Sequence, residues 1–183
     1  MTDLPSSLRL WPDLQALRPD VVLCWLATAD AEFGASTSPK EIWALPEPGR
    51  LVVADIASGH SVANIRRDPR VCVSLIDVLR QRGFKLYGRA EVIAPDHPHF
   101  DKTAVPLLAM TGGAYPIRHV IAVSVTRMAP ILAPSYALFP ERPVAQRIAE
   151  ARAAYGLDRG PDQFQPNCGG FPASPCAPGP DVP

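Results

Sequence analysis

A turn rich in hydroxyl groups follows the apolar segment LVVADI at residues 51–56. The turn is SGHS at 58–61, and a short amphipathic segment follows it before Asp68-Pro69. If a strand ends here and a helix begins at 59–61, the backbone N–H groups of the first helical turn point towards one place. A helix N-terminus carries about half a positive charge and free N–H donors, which suit a phosphate. The turn therefore predicts an anion site, to which Ser58, His60 and Ser61 would add donors.

The same turn also fits a purely structural interpretation. Ser58 could simply cap the helix by accepting a hydrogen bond from its first turn, which is common at helix starts. Arg66 and Arg67 come late in the helix, where cations favour the helix dipole. We therefore interpret these arginines as solvated charges and not as ligand-binding groups.

A second polar cluster, STSPK, lies at residues 36–40. A lysine directly after several hydroxyls suits recognition of a phosphate or a ribityl chain, so Ser38 and Lys40 are candidates, with an ordinary exposed turn as the alternative. Lys85 alternates with Phe84 and Leu86 in GFKLYG. Its side chain is therefore expected on the opposite face of a strand, towards solvent or into a site.

The elements that must position these groups alternate between strand and helix periodicity. Strands are predicted at 21–28, 40–45, 50–56, 71–78, 83–93 and 120–125 (with a possible extension to 132), and helices at 8–17, 59–67, 96–110 and 141–155. The continuous apolar run at 21–28 predicts a strand that is buried on both faces. The strands follow one another too closely for βαβ units. The pattern therefore favours a small antiparallel β-barrel of about six strands with peripheral helices.

Composition predicts one soluble domain and a tail. Of the 183 residues, 47% are hydrophobic and 20% charged, with a formal net charge of zero. Neutrality disfavours nucleic acid and anionic membrane as partners, and the N-terminus does not resemble a secretory signal, so we expect a cytoplasmic protein. Residues 1–157 are predicted to form the domain and 158–183 a flexible tail rich in proline and glycine. The four cysteines show no C-x-x-C spacing, and we expect no metal site.

Three segments, taken in order, resemble the FMN-binding split-barrel proteins of the pyridoxamine 5'-phosphate oxidase-like family. They are WLATADAEFGASTSPKEIW at 25–43, LVVADIASGHSVANIRRDPRVCVSLIDV at 51–78 and RQRGFKLYGRAEVI at 80–93. The resemblance covers residues 21–95. It implies a mainly β fold, a six-stranded antiparallel split β-barrel with peripheral short helices. It also implies a homodimer that binds FMN at the subunit interface.

The resemblance also implies which residues hold the flavin. The phosphate is expected near the turn at 58–61, and Ser38 and Lys40 on the strand beside the isoalloxazine ring. Asn64 corresponds to a helix asparagine that could cap or brace the turn. The flavin-binding residues expected from the motifs and the resemblance together are Ser38, Pro39, Lys40, Asp55, Ile56, Ala57, Ser58, His60, Ser61, Asn64 and Lys85. No residue stands out as a general acid or base.

Departures from the family pattern bear on activity. The oxidases proper carry a Ser-Arg-Lys phosphate turn, where this chain has Gly59-His60-Ser61, and their C-terminal Trp and Arg have no counterpart here. We therefore predict an FMN-dependent oxidoreductase with a small-molecule redox partner, and not oxidation of pyridoxamine 5'-phosphate. The alternative is a non-catalytic split barrel that carries or senses haem, deazaflavin or another ligand. A barrel that binds nucleic acid is disfavoured by the zero net charge.

Overall fold

The computed structural model describes residues 5–158. Seven strands and five α-helices follow one another, with short 3₁₀ turns at Ser6–Leu8 and Arg18–Asp20. The strands are β1 (Cys24–Thr28), β2 (Ser36–Lys40), β3 (Trp43–Glu47), β4 (Arg50–Asp55), β5 (Arg70–Asp77), β6 (Arg82–Ile93) and β7 (His119–Leu132). The helices are α1 (Trp11–Leu17), α2 (Gly59–Arg67), α3 (Phe100–Thr111), α4 (Ser135–Leu138) and α5 (Val144–Ala154). All strand pairs are antiparallel.

The sheet curls into a split barrel, as predicted. Its strand order is β2-β1-β5-β6-β7-β4-β3, so β2 and β3 form opposite edges although only residues 41–42 separate them. A link of two residues can join opposite edges only if the sheet curls until those edges approach each other. The predicted count of six strands is wrong, because the strand expected at 40–45 is divided between β2 and β3. The break falls at Glu41-Ile42, where the chain crosses from one edge to the other.

The core lies on the inner face of the curled sheet. Leu26, Val73 and Leu86 form one cross-strand row, and each is fully buried. The prediction that residues 21–28 are buried on both faces is wrong, since Trp25 is 43% exposed on the outer face. An antiparallel sheet needs a cover on only one face, and in this chain β1 is covered only inside. Trp11 of α1 is fully buried against the core.

The long strand β6 depends on glycine where it crosses its neighbours. A side chain at Gly88 would meet the carbonyl oxygen of Ser124 at 2.2 Å, and the register shifts beside it, between Tyr87 and Gly88. Gly83 is equally confined, because a Cβ there would lie 1.9 Å from the carbonyl oxygen of Leu75. These contacts explain why the backbone can pass so closely only at glycine.

The helices agree with their sequence signals. α2 begins and ends where it was predicted, and the residue before Pro69 is extended, as expected of a residue that precedes proline. α3 begins at Phe100 and not at 96, because Pro98 lies in a turn there. Within residues 5–158, no helix is both long and apolar enough to span a bilayer. The predicted tail, apart from Asp158, lies outside the described residues.

Candidate functional site

A cavity of about 690 Å³ lies beside the split in the barrel. The β2 edge, the end of β4 with the turn after it, and the C-terminal end of α3 form its walls. It is lined by Ser38, Pro39, Lys40, Glu41, Ile42, Ala54, Ile56, Ala57, Ser58, Met110, Thr111 and Tyr115. A volume of this size is within the range of roughly 300–1,000 Å³ that is typical of sites for small molecules and cofactors.

Lys40 is the most unusual residue of the cavity, because a lysine is seldom buried and this one is only 6% exposed. The register with β1 puts it on the inner face of the sheet, opposite the buried Cys24. Its ammonium donates to Ser38 Oγ at 2.7 Å and to Ser58 Oγ at 2.6 Å. Since an ammonium can only donate, both hydroxyls accept from it and keep their own O–H groups free to donate. The wall of the cavity thus offers one cation and two hydroxyl donors.

The environment of Lys40 lowers its pKa. Burial is the main cause, since it disfavours the charged ammonium, whereas the nearby Asp55 carboxylate favours that charge and offsets part of the effect. A partly desolvated cation attracts an anion more strongly than a solvated one, because water screens it less. Lys40 is therefore suited to bind a negatively charged ligand group.

Asp55 lies beneath the cavity and organises the turn after β4. It is 2% exposed, and its Oδ1 accepts the Ser58 N–H at 2.6 Å. Its Oδ2 lies 2.8 Å from Nδ1 of His119, the first residue of β7, which pairs with Asp55 in the sheet register. The interpretation of Ser58 as a helix cap is wrong: its hydroxyl makes no capping bond and accepts from Lys40 instead. The turn is therefore held by its backbone, which leaves the hydroxyl at the cavity wall.

Another group of polar side chains lies on the outer side of the turn after β4. His60 Nε2 contacts Asp30 Oδ2 at 2.6 Å, and the His60 side chain is 69% exposed. Asn64 donates to Thr28 Oγ1 at 3.0 Å and is 3% exposed. Arg67 donates to the carbonyl oxygen of Ala29 at 2.7 Å. These bonds join α2 to the end of β1 and to the residue that follows it.

The expected flavin-binding residues fall into two groups. Those that line the cavity are Ser38, Pro39, Lys40, Ile56, Ala57 and Ser58, with Asp55 directly beneath them. His60, Ser61, Asn64 and Lys85 do not line it. Ser61 is 5% exposed, so its hydroxyl is not an open donor at the surface.

Lys85 lies on the outer face of the sheet. It pairs with Ser74, which pairs with Trp25, which in turn pairs with Pro39, so the four residues form one row across β6, β5, β1 and β2. Paired strands are about 4.8 Å apart, which puts three strand spacings between Lys85 and Pro39. The side chain of Lys85 is exposed there.

Sequence reasoning missed the wall that α3 supplies. Met110 and Thr111 at its end, and Tyr115 after it, complete the cavity. The only signal for this part was the pair Gly112-Gly113, which predicts where α3 ends but not what its end faces. His119 was also missed, because the contact with Asp55 depends on a strand pair that spans 64 positions.

Comparison with known proteins agrees with the architecture. Residues 10–134, well over half of the 183, match the family model of pyridoxamine 5'-phosphate oxidase. No protein of curated function matches the sequence. An FMN-binding protein from Syntrophomonas wolfei superposes with a TM-score of 0.57 and 12% identity, covering 68% of this chain and 86% of that one.

Two further solved structures show the same fold. HupZ from Group A Streptococcus has a TM-score of 0.55 and 19% identity, with coverage of 64% of this chain and 90% of HupZ. An FAD-binding protein from Mesorhizobium loti has a TM-score of 0.51 and 14% identity, with coverage of 66% of this chain and 90% of that one. At these identities the similarity shows a shared fold.

Proposed function

The chain belongs to the pyridoxamine 5'-phosphate oxidase family, and we propose that it binds a flavin, FMN, in the cavity beside Lys40. One observation carries the proposal. The buried ammonium of Lys40 donates to Ser38 and Ser58, and all three residues line a cavity whose other lining residues are apolar apart from Glu41, Thr111 and the Tyr115 hydroxyl. The two hydroxyls are neutral, so an anionic ligand at the cavity wall would add to the charge compensation that Asp55 gives the ammonium.

The donor set fits FMN. The polar end offers the Lys40 ammonium and two serine hydroxyls, which suit an oxyanion such as the phosphate. The apolar wall includes Ile42, Ile56 and Met110, and Tyr115 adds an aromatic ring, which suits a planar ring system. A ligand with an anionic group and a flat, largely apolar ring matches both ends. Two of the proteins with the same fold are described as binding FMN and FAD, which supports a flavin.

The proposed activity is oxidoreduction of a small molecule. Bound flavin would itself supply the transfer of hydride or electrons. The chain's part would be to hold the anionic group with Lys40, orient the ring against the apolar wall and keep water from it. We do not extend the proposal to pyridoxamine 5'-phosphate, because His60 stands where the oxidases have arginine and contacts Asp30.

We further propose that two copies of the chain associate through the outer face of β1 and its neighbours. Trp25 on this face is 43% exposed, and Val22, just before β1, is 70% exposed, which is unusual for large apolar side chains. Lys85 lies in the same row as Trp25, so a second copy on this face would contact it. A Trp25→Glu variant is expected to be monomeric in light scattering coupled to gel filtration, whereas a monomeric wild type would contradict the proposal.

Titration with FMN and with riboflavin tests the flavin proposal. Wild type should bind FMN, and Lys40→Met should weaken that binding by tenfold or more, about 1.4 kcal/mol, because a hydrogen-bonded charge is lost. If Lys40 holds the phosphate, riboflavin affinity should change much less, since riboflavin has no phosphate. Lys102→Met is the matched control, because Lys102 is exposed near the opposite end of α3.

Two outcomes would contradict the flavin proposal. One is a wild type that binds neither flavin, and the other is an unchanged FMN affinity in Lys40→Met. The absorption spectrum of the purified protein separates the alternatives, since bands near those of free flavin support the proposal and a Soret band indicates haem. None of the described residues that line the cavity is a histidine or a cysteine, two common haem ligands.

A further inference from the structure

The polar group at the cavity wall continues beneath it to two residues that do not line the cavity. Asp55 uses one carboxylate oxygen for the Ser58 N–H and the other for His119. The Nε2 atom of His119 in turn lies 3.4 Å from Nη2 of Arg66. A continuous set of contacts therefore leads from the surface at Arg66 to Ser58, which accepts from Lys40.

Two contacts hold the ring of His119. The Asp55 carboxylate can only accept, so Nδ1 carries a hydrogen and donates it to Oδ2 at 2.8 Å. On the other side of the ring, Nε2 lies 3.4 Å from the guanidinium of Arg66. The orientation of the imidazole is therefore fixed from both sides.

Asp55 depends on this donor. It is 2% exposed, and a buried carboxylate is tolerated only where its oxygens are paired. Without His119, Oδ2 would lose its donor, and the carboxylate would have to turn, recruit water or lose its charge. Each of these changes would loosen the Ser58 turn and weaken the attraction between Asp55 and Lys40.

We propose that His119 is a positioning residue of the anion-binding group, which acts through Asp55 to hold the Ser58 hydroxyl and the Lys40 ammonium in place. It does not line the cavity. The proposal rests on the cavity's binding an anionic ligand, as argued above for FMN. Arg66, which the sequence suggested was only a solvated charge, contacts the far side of the imidazole ring.

Two substitutions separate the hydrogen bond from the rest of the side chain. His119→Asn keeps an N–H donor near the position of Nδ1, whereas His119→Leu keeps bulk and removes the donor. We expect His119→Leu to weaken FMN binding by about tenfold and His119→Asn by less than about threefold. His99→Asn, at an exposed histidine before α3, is the control and should leave affinity unchanged.

A double-mutant cycle tests whether His119 acts through Lys40. In a Lys40→Met background, His119→Leu should cause little further loss of FMN affinity, because the group that it positions has been removed. If His119→Leu causes the same additional loss in both backgrounds, or if Asn and Leu are equally harmful, the role of His119 is structural and the proposal is overturned.

A second measurement needs no flavin and so separates this proposal from the flavin proposal. NMR of the Lys40 side chain gives its pKa in folded, ligand-free protein, with circular dichroism as the check on folding. The pKa of Lys40 should be lower in His119→Leu than in wild type, because the Asp55 charge that favours the ammonium is weakened. It should be unchanged in His119→Asn. The same pKa in all three proteins would overturn the proposal even if wild type binds FMN.

Discussion

Two histidine–aspartate pairs flank the start of α2, and they differ in what else the aspartate touches. His60 contacts Asp30 at 2.6 Å on the outer side, and His119 contacts Asp55 at 2.8 Å beneath the cavity. The other partners of Asp30 are the backbone N–H groups of Glu32 and Phe33 and the side chain of Asn64. Asp55 binds the turn that carries Ser58 to the cavity wall.

The comparison shows that residue type alone does not reveal whether a histidine–aspartate pair contributes to ligand binding or to the fold. Backbone N–H groups of Phe33 and Glu32, and then His60, hold the pKa of Asp30 far below its usual range. The backbone contacts close the turn after β1, and the His60 contact joins that turn to α2. Asp55 makes the same kind of pair, but through Ser58 it connects to a buried cation that faces the cavity. The outer pair, His60 and Asp30, therefore stabilises the fold, and the inner pair, His119 and Asp55, stabilises the candidate site.

Replacing each aspartate by asparagine should separate the two pairs most strongly. Asp55→Asn removes a buried negative charge beside Lys40, and we expect a loss of about 3 kcal/mol in the free energy of unfolding, as for other broken buried pairs. It should also weaken FMN binding. Asp30→Asn should cost less and leave FMN affinity unchanged. Urea unfolding measures the loss of stability and flavin titration measures the loss of FMN affinity. Equal effects of the two variants would show that the two histidine–aspartate pairs do not differ in role.

Asn64→Ala should damage the outer cluster alone. The substitution leaves the hydroxyl of Thr28 without its buried partner, which typically costs roughly 1–3 kcal/mol. FMN affinity of the folded protein should not change, because Asn64 contacts Thr28 and Asp30 and is not joined to Ser58 or Lys40. Thr28→Val removes the same bond from the other side, so the two substitutions should be strongly non-additive in unfolding free energy. Additive losses would show that Asn64 acts through other contacts.

The sequence predicted most of the fold because its local signals were strong. α2 was predicted at its observed bounds, since the helix start at Gly59 and Pro69 after its end are local features. β2 was not predicted as a strand of its own, and the strand expected at 40–45 runs across the break at Glu41-Ile42, because that break depends on which sheet edge each half joins. The local sequence cannot show this break, since the strands that pair with β2 and β3 depend on residues far away along the chain.

The candidate site was predicted only where neighbours in sequence are neighbours in space. Ser38 and Lys40, two positions apart on one strand, were found together, and Ser58 was found separately from its turn, whereas its contact with Lys40 is seen only in the structure. His119 was not found, because only the register of β4 with β7 brings it to Asp55. The choice between Ser58 as a cap and Ser58 as a lysine partner also required the tertiary structure.

The stability of the ligand-free protein should rise with pH in the alkaline range because of Lys40. Burial lowers its pKa in the folded state, so as the pH rises the folded chain releases this proton before the unfolded chain does. The cost of holding the buried charge is therefore present below the folded-state pKa and disappears as the pH approaches the ordinary lysine value of about 10.4. Unfolding free energies should rise in wild type relative to Lys40→Met over this window. If the unfolding free energies of wild type and Lys40→Met change with pH in parallel, burial of the Lys40 charge does not destabilise the fold.

His60→Ala should have the smallest effect and is the most direct challenge to the comparison. His60 is 69% exposed, so water screens its pair with Asp30 and little stability should be lost at neutral pH. Asp30 keeps its backbone donors, and because its pKa is lowered, its contribution is present above the ordinary carboxyl value of about 3.9 and lost as the pH falls below it. The decrease in unfolding free energy at acid pH should therefore remain in His60→Ala and become smaller in Asp30→Asn. FMN affinity should not change in His60→Ala. A tenfold loss of FMN affinity would instead place His60 in the flavin site, as the family resemblance implied, and the outer pair would then serve ligand binding as well as the fold.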